Sequence, residues 1–199
     1  MRLSRRILPA LCSLLAPSLA LAYNHPLGDD TVREAYFIGQ DKTNVNSFLA
    51  QYALALPLPP TGPHVAEVEL NTPYAQVVED SAQHTAGYSA QQATEAYRKR
   101  GDAIVVRLKI LFTPTFSGDD DYWRTVSVGL IQKRKHMSAT AVNGEPIYTA
   151  DPDGGEIAIG VYVYVTFSDA VVEDGPLQVE VEPPGGPSVH AKFDLSSVQ

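Results

Sequence analysis

Residues 157–167 read Ile-Ala-Ile-Gly-Val-Tyr-Val-Tyr-Val-Thr-Phe. Ile157, Ile159, Val161, Val163, Val165 and Phe167 recur at every second position, the side-chain period of an extended strand. Tyr162 and Tyr164 fall on the reverse face, so both sides of this strand are expected to be covered. The same period governs the chain on either side. Ile104, Val106, Leu108, Ile110 and Phe112 share one face, against Arg107, Lys109 and Thr113. The stretch from Trp123 to Lys133 alternates with Val126, Val128 and Leu130 inward. Asn143-Gly144 reads as a tight hairpin turn, because both residues tolerate positive φ. Leu177, Val179 and Val181 are expected to pair, across the loop from Pro183 to Pro187, with Val189, Ala191, Phe193 and Leu195. An earlier strand, Val65 to Leu70, would place Ala66, Val68 and Leu70 on one face and Glu67 and Glu69 on the other.

Toward the N-terminus the period changes to that of helices. Thr31 and Glu34 have capping-box spacing, and Val32, Ala35, Tyr36 and Gly39 then share a face. Val45, Phe48, Leu49, Tyr52 and Leu56 form a second apolar stripe that needs a packing partner. Thr72-Pro73 is a cap followed by Pro at the first helical position. Ser89 and Gln92 form a second capping box, with Gly101 as the stop. These patterns predict an α+β protein: an antiparallel β-sandwich of seven to eight strands, immunoglobulin-like by strand count and spacing, with four short helices in its N-terminal half. They divide the chain into a helical pair over 23–56, a Pro-rich linker over 57–64 and a helix-decorated sandwich over 65–199.

Residues 1–22 have the parts of a cleavable export signal. Arg2, Arg5 and Arg6 precede a Leu- and Ala-rich run from Ile7 to Leu19, and Ala20-Leu21-Ala22 is a small-x-small cleavage site. A secreted or periplasmic protein starting at Tyr23 is expected, with no membrane span after processing. The sole cysteine, Cys12, would leave with the signal, so the fold would rest on its core without disulfides. Processing removes three of the fifteen basic residues and none of the 23 acidic ones, taking the net charge from −8 to about −11. Such a surface repels phosphate backbones, and nucleic acid is not expected as a partner.

Chemistry is sparsely marked. No G-x-S-x-G elbow, phosphate loop or dinucleotide fingerprint occurs in the sequence. Asp80 and His84 stand four apart, which on a helix lets a carboxylate orient an imidazole base; a surface ion pair is the simpler reading. Asp119, Asp120 and Asp121 form one acidic loop, and Asp151, Asp153 and Glu156 surround a glycine turn in another. No cofactor is expected; calcium is the one these loops could attract, although neither supplies a full oxygen set. Tyr122 and Trp123 could offer an aromatic platform to a sugar or peptide, or pack a strand end. Two functions compete. One is a non-catalytic binding or structural module of the cell envelope, with a protein or glycan as partner. The other is an exported hydrolase acting on a cell-wall, glycan or peptide substrate. A concave site holding a carboxylate or His of perturbed pKa would favour the enzyme; an apolar patch or groove would favour the module.

Overall fold

A computed structural model describes residues 23, 25–57, 61–84, 87–116, 121–151 and 154–198. The expected export signal, Leu58 to Pro60 of the Pro-rich segment, Asp119, Asp120 and Asp153 lie outside the described residues. The chain is α+β, with two antiparallel sheets and four helices among the described residues. In chain order these are α1 (Asp29–Gln40), α2 (Val45–Leu49), β1 (Ala53–Ala55), β2 (His64–Asn71), α3 (Pro73–Gln83), α4 (Ala90–Arg100), β3 (Ala103–Leu111), β4 (Ser127–Gln132), β5 (Lys135–Met137), β6 (Ala141–Ala150), β7 (Glu156–Ser168), β8 (Pro176–Glu182) and β9 (Val189–Asp194). One sheet runs β1-β2-β3-β7-β6 and the other β5-β4-β8-β9.

The period-two faces become one apolar core drawn from both sheets. Ile104, Val106, Leu108 and Ile110 of β3 and Val161, Val163, Val165 and Phe167 of β7 are fully buried in it. The second sheet contributes Leu130, Leu177, Val179, Val181 and Ala191. The expected pairing of the two last strands is present, with Leu177 opposite Phe193, Val179 opposite Ala191 and Val181 opposite Val189.

Three local strand readings are corrected. Asn143 and Gly144 do not turn; they sit inside β6, opposite Tyr164 and Val163. The glycine is needed for space rather than for φ, since a Cβ there would lie 2.2 Å from Cγ of Trp123. The tight two-residue turn is at Lys133-Arg134, with φ of 49° and 66°, closing β4 onto β5. In β2 a bulge between Val65 and Glu67 shifts the alternation, so Val65 rather than Ala66 joins Val68 and Leu70 in the core. In β7 the register slips where Ile147 and Tyr148 oppose Gly160 and Ala158, and Ile157 and Ile159 emerge exposed instead of continuing the buried face.

The helices carry their own apolar cluster. Val32 and Ala35 of α1, Val45 of α2, Tyr74, Val77 and Val78 of α3, and Ala93 and Tyr97 of α4 are buried together. At Gly39 α1 approaches α3 so closely that a Cβ would come within 2.4 Å of the Val78 carbonyl oxygen. The caps at Thr72 and Ser89 form as expected: Thr72 Oγ1 accepts from the Ala75 amide, and Ser89 and Gln92 exchange both bonds of the capping box. The Thr31 cap does not form, because α1 already starts at Asp29, where two acidic residues meet the positive helix end. The second helix is shorter than its stripe. A single 3-10 turn over Ala50–Tyr52 ends it, and Ala53–Ala55 pairs with β2 as an edge strand.

This layer is fastened to the first sheet by polar groups. Gln76 Nε2 donates to the carbonyls of Asn71 and Ala103, at 2.9 and 2.7 Å. Arg107 of β3 joins Glu69 of β2 to Glu79 of α3. The reverse face of β7 is only half-covered, since Tyr162 and Tyr164 are neither buried nor fully exposed.

Candidate functional site

The structure does not make a dyad of Asp80 and His84. The Asp80 carboxylate binds Arg100, while His84 Nδ1 lies 2.7 Å from the Asp80 backbone oxygen and its ring stacks on Tyr88. The helix ends at Gln83, so His84 leaves the face that Asp80 occupies. Tyr122 is buried against Phe112 and Phe116, and its hydroxyl donates to the Pro184 carbonyl. Trp123 packs on Gly144, with the Arg124 guanidinium 4.4 Å from its ring centroid. Asp121 accepts from Arg124 Nε at 2.9 Å. The Asp151 amide donates to the Gly155 carbonyl at 2.8 Å, closing the β6–β7 turn through the backbone just before Glu156. No cluster of three metal-ligating side chains occurs among the described residues.

Three other places draw attention. The first is the outer face of α1. Phe37 is 56% exposed and stands between two open clefts. One, of about 640 Å³, runs from Asp30 and Glu34 past Phe37 and Ile38 to Asp41, Asn44 and Phe48. The other, of about 630 Å³, runs toward Tyr36, Tyr88 and Thr94. Helical periodicity identifies the buried face of α1 and says nothing of Phe37; an aromatic on the polar side of such a helix was the available signal.

The second place is a buried polar knot. Asp169 is fully buried and accepts a hydrogen bond from the Tyr23 hydroxyl. His25 Nδ1 lies 3.3 Å from its other oxygen, without hydrogen-bond alignment, and that side chain is 28% exposed. Burial pushes the Asp169 carboxyl up to about 6. The third is a cleft of about 400 Å³ between β2 and β9, lined by Leu56, Pro57, Val189 and His190 along with His64. His64 is 6% exposed, and neither ring nitrogen has a hydrogen-bond partner among the described residues. Burial holds its pKa below the ordinary histidine value.

Glu69 is a further buried carboxylate. Burial pushes its pKa up against the pull of Arg107. Neither Asp169 nor Glu69 lines any of these clefts. No helix among the described residues is long and apolar enough to cross a membrane. No protein-family model matches this chain, and no curated protein does.

Proposed function

We propose that the protein is an exported, non-catalytic binding or structural module of the cell envelope, with a protein or glycan as its partner. Its two sheets pack as an immunoglobulin-like sandwich, and the helical layer presents the contact surface. The strand orders support the scaffold: β2-β3-β7-β6 and β5-β4-β8-β9 follow the A-B-E-D and C′-C-F-G orders of that Greek key. The observation that carries the function is Phe37, a large apolar side chain left exposed between two clefts. Exposed aromatics in apolar-floored grooves fit recognition, and the two buried carboxylates with raised pKa values, Glu69 and Asp169, stand elsewhere.

The hydrolase reading keeps one specific support. Buried Asp169 beside partly exposed His25 resembles a carboxylate orienting a base. A sedimentation assay separates the two. Purified protein should bind isolated envelope fragments saturably, with binding lost in Phe37→Ala and kept in His25→Ala. Failure of the wild-type protein to bind, together with hydrolysis of envelope glycan or peptide that His25→Ala abolishes, would reverse the assignment.

A further inference from the structure

We infer that the α1 cleft takes a basic amphipathic helix of a partner protein, with apolar side chains seated against Phe37, Ile38 and Phe48 and cations on the rim. This deepens the binding-module reading and rests on it. Asp30, Glu34, Phe37 and Asp41 follow one another at helical spacings of four, three and four, so they form a single stripe along the exposed side of α1. The stripe runs about 16 Å, three turns of helix, which matches a partner helix laid alongside it. Its floor is apolar: Ile38 and Phe48 are half-buried beside Phe37.

Its rim is acidic. Asp30 and Glu34 form no ion pair within the described residues. Asp41 stays ionised below the usual carboxylate range, because the Asn44 side chain and the amides of Thr43 and Asn44 donate to it. The single cation of the wall, Arg33, lies over the Phe37 ring at 5.8 Å. An apolar groove edged by three carboxylates, on a chain of net charge −8, attracts a cationic apolar ligand and repels an anionic one. A neutral glycan fits less well, since it would leave these carboxylates without countercharge.

The test uses purified protein and a synthetic Leu/Lys helix of about 14 residues, long enough to cover the stripe. A Leu/Glu helix of the same pattern is the control. Binding is read by fluorescence anisotropy, and the site by amide chemical shifts. The Leu/Lys helix should bind and shift α1 amides, and the Leu/Glu helix should not. Phe37→Ala should weaken binding about tenfold or more with its thermal midpoint unchanged, as expected for a central anchor. The pair Asp30→Asn and Glu34→Gln should weaken it and flatten its salt dependence. Neutralising Glu145 and Glu156, which lie on the first sheet, should change nothing. Equal losses from the remote and the local pairs would overturn the proposal, by showing general attraction to an acidic protein. Shifts of the same α1 amides by an envelope oligosaccharide, with none from the Leu/Lys helix, would also overturn it while leaving the binding-module reading intact. Loss of envelope binding altogether would remove that reading instead.

Discussion

Trp123 packs directly on the backbone of Gly144, a position where any Cβ would overlap the indole. Gly144 shares a sheet row with Val163, Leu108 and Val68, so the contact joins the turn before β4 to the core side of the first sheet. Gly144→Ala should therefore destabilise the protein by at least about 1–3 kcal/mol through overpacking. Urea unfolding followed by Trp123 fluorescence measures this directly, and an unchanged midpoint would refute the contact.

Asp169 makes stability depend on pH in an unusual direction. Its carboxyl titrates near 6 in the folded protein, against an ordinary value of 3.8. Between those values the folded state holds more protons than the unfolded one. Its stabilising contribution is complete below the ordinary value and is lost as pH rises through about 6, a loss on the order of 3 kcal/mol. Asp169→Asn keeps an acceptor for the Tyr23 hydroxyl and should abolish that slope. Urea midpoints at a series of pH values, with the same slope in wild type and variant, would sink this account.

His64 acts in the opposite sense. Its folded pKa lies below the ordinary 6.5, so its contribution is complete above 6.5 and is lost as pH falls below it. Two unpartnered ring nitrogens also make it a costly group to bury. His64→Leu should raise stability by about 1 kcal/mol at neutral pH and by more in mild acid. A fall in the thermal midpoint at both pH values would contradict this.

Phe48 tests whether the second apolar stripe packs within the molecule. Its partners are Tyr52 and Tyr74, with ring centroids at 5.4 and 5.9 Å, rather than the Tyr162 and Tyr164 side of β7. It is only half-buried, so Phe48→Ala should cost about 2 kcal/mol, less than the 3–5 of a fully buried Phe. An unchanged urea midpoint would show that the stripe serves a partner instead.

The sequence revealed most where local signals and tertiary demand agree. Alternation found β3, β7, β8 and β9, and Thr72, Ser89 and Gly101 marked helix ends where their side chains or φ do the capping. It misled where an apparent local signal served a distant neighbour. Asn143-Gly144 looks like a turn because glycine permits positive φ, but the glycine there makes room for Trp123. Bulges in β2 and between β6 and β7 reversed which residues face the core, and nothing in the alternation announces a one-residue insertion. The knot of Tyr23 and Asp169 joins residues 146 positions apart, beyond any local pattern. Phe37 was legible in principle, as an aromatic off the buried face, but periodicity directs attention to the residues that repeat.

The turn that does close a hairpin offers the last prediction. Lys133 and Arg134 both hold left-handed φ, which costs an L-residue with a side chain on the order of 1 kcal/mol at each position. Nothing in the hairpin requires those side chains for the turn itself; Gln132 and Lys135 set the pairing on either side. Lys133 meets Glu173 in an exposed ion pair, whose contribution is small at such a surface. Arg134→Gly removes the steric cost without touching that pair. The glycine also adds freedom to the unfolded chain, which offsets part of the gain. The balance should leave the variant more stable by about 0.5 kcal/mol, read as a rise in the thermal midpoint. Arg134→Val, branched at Cβ, should lower it by more than that, since its side chain is least tolerant of positive φ. Equal midpoints for the Gly and Val variants would mean that the turn is not held in the left-handed region.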